Sequence, residues 1–168
     1  RKEQIMAYKI ENPLLGAQPI AVTDTAANHP LGLILRASDA TYGAGEFVYL
    51  KGVADTAVGS WVTYNADDNS TALLAANAIG PVAVAMSANV ASQYGWYQIS
   101  GKAVGKALTG YADNGLVYAT ATAGSVDDAV VAGDRVKLAL GASAVGTPSA
   151  GLAEFEIQRP FMDDGSAA

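Results

Sequence analysis

An all-β fold, a small barrel or sandwich with an extended N-terminal arm and at most one short helix, is what this 168-residue sequence predicts. Three observations carry the prediction. From Leu31 onward, short apolar stretches recur between glycine and Asx turns, the pattern of strands joined by tight loops. Period-two alternation is clean in two of them: in "DRVKLAL" Val136, Leu138 and Leu140 share a face opposite Arg135 and Lys137, and in "LAEFEIQ" Ala153, Phe155 and Ile157 oppose Glu154, Glu156 and Gln158. Only "STALLAANAI", from Ser70 to Ile79, resembles a helix, and its brevity and β-branched neighbours hold it to two turns at most.

The elements follow in chain order. Residues 1–30 form the arm: Met6 followed by "AYKIENP" reads as a natural start, so Arg1 to Ile5 are set aside. From Ala7 to Pro30 three prolines interrupt any sustained period. Tyr8, Ile10, Leu14, Leu15 and Ile20, together with Pro13, Pro19 and the terminal His29, make a candidate interface, suited to docking on a neighbouring surface by adding a strand to an open sheet edge. A β domain spans 31–162, with strands expected near Leu31 to Ala37, Glu46 to Val53, Trp61 to Tyr64, Pro81 to Ser87, Gly95 to Ala107, Leu116 to Thr122, Asp134 to Leu140 and Leu152 to Arg159. Asn114-Gly115 predicts a type I′ hairpin joining the strand before it to "LVYATATAG", because both central residues of that turn need positive φ. A short flexible tail, 163–168, ends the chain.

Composition narrows the function. A chain of this length fits one domain that buries roughly 70% of its unfolded surface. Net charge is -6 with Lys and Arg scattered, which argues against binding nucleic-acid phosphates. No apolar run reaches the roughly 18 residues of a membrane span, so no membrane partner is expected. With no cysteine, disulfides and thiolate chemistry are excluded. Charged residues make up only 15%, below the roughly 25% of soluble domains, which suggests a surface partly covered by subunits or by a larger assembly.

The motifs that could carry chemistry each fail at a required position. In "QYGWYQISGKAVGKA" (Gln93 to Ala107) five residues separate Gly95 from Gly101, and Ala103 follows Lys102, whereas a P-loop needs four and then Ser or Thr. The stretch is a strand, with Gly101 marking a bulge or a close backbone approach. His29, the only histidine, has no Gly-x-Ser-x-Gly elbow to serve and fits a turn. In "NADDNS" Asn65, Asp67 and Asn69 alternate as in a calcium loop, but Ser70 replaces the glycine and Ala76 the bidentate glutamate; a polar hairpin loop remains. Asp127, Asp128 and Asp134 are accounted for as turn punctuation. Gly43 and Gly45 of "GAGEF" lack the third glycine of a dinucleotide fingerprint, and Asn69-Ser70-Thr71 matches a glycosylation sequon by accident. No cofactor, metal or small-molecule substrate is implied, and the chain is not expected to be an enzyme. On the strand from Gly95, Trp96 falls on the same face as Gln98, Ser100 and Lys102, which marks it as a candidate interface anchor or as a Trp folded over the barrel end.

The stretches "HPLGLILRASDATYGAGEFVYLKGVADTAVGSWVTYN" (His29 to Asn65), "GPVAVAMSANVASQYGWYQISGKAVGKA" (Gly80 to Ala107), "VYATATAGSVDDAVVAGDRV" and "GTPSAGLAEFEIQRPF" resemble the decoration, or cement, proteins of tailed bacteriophages. The resemblance covers most of Pro30 to Phe161 and lies in turn phrases such as "VGSWVTYN" and "TAGSVDD". It implies a homotrimer on the outer capsid surface of the virion, clamping the major capsid protein, with no catalytic residues. Two other expectations stand beside it: a neck, tail or fibre component, and a carbohydrate-binding module with Trp96, Tyr94 and Tyr111 as its platform.

Overall fold

A computed structural model describes residues 8–10 and 18–163. The chain is all-β. Among the described residues there are eleven strands and no helix: β1 (Lys9–Ile10), β2 (Ile34–Asp39), β3 (Gly43–Lys51), β4 (Trp61–Tyr64), β5 (Thr71–Leu73), β6 (Gly80–Ala85), β7 (Tyr94–Lys106), β8 (Leu116–Ala119), β9 (Val126–Asp127), β10 (Arg135–Gly141) and β11 (Leu152–Met162). They form one open, sandwich-like sheet in the order β1-β2-β3-β7-β6-β11-β10-β8-β9, with β4 beside β6 and β5 beyond β4. All the strand pairs are antiparallel.

The long strand β7 organises the sheet. Its first half pairs with β3 on one flank and with β6 on the other, and its second half pairs with β11 on the β6 side. The change of partner happens at a bulge: Glu46 faces Ser100 but Phe47 faces Gln98, leaving Ile99 unmatched. Gly101 follows with φ +100, and a Cβ there would lie 2.5 Å from the Ala44 carbonyl oxygen. Only glycine fits that crossing, as the sequence predicts.

Apolar residues fill three cores. One holds Trp61, Val82, Val84, Val117, Val136, Phe155 and Met162. A second holds Val48, Leu50, Val62, Ala83, Ala85, Tyr97 and Ile99. Successive residues of β4 and β6 therefore enter different cores, which is why "GPVAVA" is apolar throughout instead of alternating. The third core, with Leu35, Phe47, Tyr49 and Trp96, is roofed by Tyr8 and Ile20 of the arm.

Four local expectations are corrected. Thr71–Leu73 of the expected helix is a strand, drawn into register with Val62–Tyr64 of β4 by pairing that a two-turn helix cannot match. The Asn114-Gly115 hairpin does not form, because β8 pairs with β10 and β9 and not with β7. At that turn Asn114 has φ 58 and the Gly115 amide donates to the Ala112 carbonyl, a turn needing only one left-handed residue. In β10 the alternation fails at Leu138, which has φ 60 and is 64% exposed, while Ala139 turns inward. One extra residue in a strand exchanges its faces from that point on. Finally, where the arm is described it adds its strand to its own chain and not to a neighbour: β1 pairs with β2, and Asp24 bridges Tyr94 through two backbone hydrogen bonds. Of the expected tail, residues 164–168 lie outside the described residues, and Asp163 is ion-paired to Lys137.

Candidate functional site

The interface residues expected on the arm have different fates. Pro13, Leu14 and Leu15 lie outside the described residues. Ile10 contributes its backbone to β1, opposite Ala37. Tyr8 packs edge-on against Phe47 at 4.8 Å, and its hydroxyl donates to the Lys102 carbonyl at 2.9 Å and to Gln98 at 3.3 Å. Burial pushes the Tyr8 phenol well above its usual range. Ile20 is buried in the same core, while Pro19 is exposed and its carbonyl accepts from the Val22 amide. The expectation that these anchors reach a neighbouring molecule is thus corrected for Tyr8 and Ile20, whose partners belong to their own chain.

His29 and Trp96 meet in a polar cluster beneath the arm. The Tyr49 hydroxyl donates to the Asp24 carboxylate at 2.5 Å, the Gln18 amide nitrogen donates to the same carboxylate, and the Gln18 oxygen accepts from His29 Nε2. A carboxylate can only accept here, so it fixes the amide orientation of Gln18, and that in turn places the imidazole proton on Nε2. The His29 ring lies edge-on to Tyr49 at 5.1 Å and tilted to Trp96 at 5.5 Å. Burial, reinforced by the bond to Asp24, pushes the Tyr49 phenol up to about 12. Sequence reading places His29 in a turn and misses Gln18, Asp24 and Tyr49. Nothing local distinguishes Asp24 from other Asx turn residues; only the fold brings Tyr49 and Tyr94 over it.

Trp96 is fully buried between Tyr49 and the arm, which overturns its expected role as an exposed anchor. The face of the strand that carries it is covered by Tyr8 and Ile20 of the arm and does not meet solvent. Gln98, on the same strand, is buried for the same reason and spends its amide on the Ser100 and Lys102 carbonyls. The expected sugar platform does not assemble either. Trp96 and Tyr111 are buried in different cores, and Tyr94 is half-buried and stacked on Tyr49 at a 6.5 Å ring separation.

The acidic motifs are absorbed by loops. Asn65 and Asp68 accept from the Asp67 and Ser70 amides within the β4–β5 loop. Asp134 is buried and accepts from the Asn77 amide, and Asp128 accepts from the Ala112 amide. Among the described residues no three His, Asp or Glu side chains are placed to hold a metal ion. An open cleft of about 390 Å³ beside the β4–β5 loop is lined by Thr63, Tyr64, Asn65, Ser70, Thr71 and Ile79. These groups offer hydroxyls and an amide to a ligand, but no carboxylate or imidazole to move a proton.

Several large apolar side chains are exposed. On the outer side of β10 and β11, Leu138, Leu140 and Phe161 are 64%, 37% and 43% exposed, and in the loop before β10 Val130 and Val131 are 78% and 46% exposed. The sequence hides the first group, because unbroken alternation would have buried both leucines. No protein-family model, no curated protein and no solved structure matches this chain.

Proposed function

We propose that this chain is a structural protein of a phage virion that sits on the outer capsid surface and stabilises the shell, a decoration or cement protein that self-assembles and binds the major capsid protein. The observation that carries the reading is the resemblance of His29 to Asn65 and Gly80 to Ala107. In the fold these two stretches supply β2, β3, β7, β6 and β4, which are contiguous in the sheet. Two physical features support it. Charged residues are only 15% of the chain, and apolar side chains stand exposed on ordered strands, where a capsid lattice or a sibling subunit would cover them.

The test is binding to purified, expanded capsids that lack decoration. Saturable co-sedimentation, with image reconstruction showing added density on the outer surface, is expected. No binding to such capsids, or density confined to the neck or tail, overturns the reading.

A further inference from the structure

We propose that the open cleft beside the β4–β5 loop is a binding site for a small neutral saccharide. The inference does not rest on the capsid reading, and it uses none of the residues first expected as a sugar platform.

The cleft lies between two segments whose backbones are held in place. One lip is the β4–β5 loop, where the Asn65 amide donates to the Ser70 carbonyl and the Asn69 amide to the Asn65 carbonyl. The other is the approach to β6, where the Asn77 amide donates to the buried Asp134 carboxylate and Ile79 and Gly80 follow. Asn69 and Asn77 turn these corners with φ 56 and φ 60, a conformation that asparagine accepts more readily than most side-chain-bearing residues. β4 and β6 pair through Thr63 and Val82, which joins the two lips through one sheet. A cleft of about 390 Å³ falls at the lower end of the roughly 300–1,000 Å³ of small-molecule sites, most of which are likewise pre-formed.

The lining groups select the class of ligand. Among the described residues, the Thr63 and Tyr64 hydroxyls and the Asn65 amide nitrogen make no side-chain hydrogen bond, while the Asn65 side-chain oxygen already accepts from the Asp67 amide. Ser70 donates its hydroxyl proton to Asp68 and is left as an acceptor. A ligand that satisfies these groups must both accept and donate. It must also be neutral, because no charged side chain lines the cleft and an ionised ligand would lose hydration there without a counter-charge. Asp67 and Asp68 belong to the same loop but lie outside the lining, and Asp68 accepts from the Ser70 amide and hydroxyl. Burial pushes the Tyr64 phenol up, against the pull of Arg159, which keeps it a neutral donor. Ile79, 63% exposed, and Pro81 supply an apolar wall. A sugar ring meets all three conditions: hydroxyls that donate and accept, no charge, and a C–H face for the wall. A purely apolar ligand would leave the hydroxyls and the amide without partners.

The experiment titrates the isotope-labelled full chain with maltose, cellobiose, lactose and diacetylchitobiose and follows its backbone amides by NMR. Glucuronate and glucosamine serve as charged counterparts, and uridine as a neutral ligand that is not a simple sugar. At least one neutral disaccharide is expected to give saturable shifts confined to residues 63–71 and 79–80, while the three controls give none. Asn65→Asp keeps an acceptor for the Asp67 amide but removes both side-chain donors, and Thr63→Val removes a hydroxyl at nearly constant shape. Each is expected to weaken binding about tenfold, the scale of one hydrogen bond, with thermal unfolding unchanged; if one variant loses its fold, the other decides. Absence of saturable shifts with every neutral disaccharide overturns the inference. So do shifts centred elsewhere, binding undiminished in a folded variant, or a charged sugar or uridine that binds as tightly. Capsid binding is a separate measurement, and its failure leaves this site standing.

Discussion

Leu138 and Arg159 lie in the same interruption of the β10–β11 ladder, both with left-handed backbone. A glycine adopts that conformation without penalty. Leu138→Gly is therefore expected to be more stable than Leu138→Ala by about 1 kcal/mol, reversing the order usual inside a strand. Urea unfolding of the two variants measures the difference, and an alanine variant of equal or greater stability would show that the backbone there is not strained.

Gly105 lies under the Trp61 indole, where a Cβ would come within 2.5 Å of Nε1. Trp61 is fully buried and packed edge-on against Phe155 at 4.9 Å, so it has little room to retreat. Gly105→Ala is expected to lower stability by about 1–3 kcal/mol, as overpacking of a filled core does, with a matching fall in Tm.

The raised pKa of Tyr49 fixes a dependence on alkaline pH. Folding raises this phenol from 10.0 to about 12, so the folded state holds the proton more tightly than the unfolded chain. Its contribution is complete below pH 10, the unfolded value, and is lost as pH rises through 12. Tyr49→Phe is expected to flatten part of the stability loss above pH 10. Tyr8, Tyr42, Tyr64, Tyr97 and Tyr111, also raised, keep the remainder. Denaturation curves across that range check the change in slope.

Tyr8 fastens the start of the described arm to the body. Losing its hydroxyl leaves the Lys102 carbonyl without that donor, which costs about 1 kcal/mol, and losing the ring uncovers Phe47. Tyr8→Ala is expected to speed amide exchange in β1 and β2 while β6 and β10 keep their protection, because the arm roofs only one of the three cores. Hydrogen exchange followed by peptide mapping distinguishes this local release from global destabilisation.

How far the sequence was legible depended on whether the deciding contact was local. Trp61–Tyr64 is a strand with the bounds expected for it, and the strands read at Pro81 and Gly95 differ from the observed ones by a residue or two at their ends, because apolar runs between glycines declare themselves. Gly101 was legible as a close approach for the same reason. Thr71–Leu73 was not legible, since its strand conformation comes from pairing with β4 and not from its own propensities. Leu138 was misread because a bulge set by the partner strand cannot be seen in a run that alternates cleanly by itself. Trp96 was misread because nothing near it announces that residues some seventy positions earlier, around Ile20 and His29, cover its face. The outer face of β10 was therefore the least legible part: Leu138 and Leu140, which reach solvent, are residues the alternation assigned to the interior.

The shared walls of the three cores carry a consequence for how the molecule comes apart. Because β4 and β6 give neighbouring residues to two cores, and β7 reaches all three through Trp96, Tyr97 and Ala103, no core can melt while another stays dry. Cooperativity is thereby built into the central strands, and the body has no stable half-open form in which to linger.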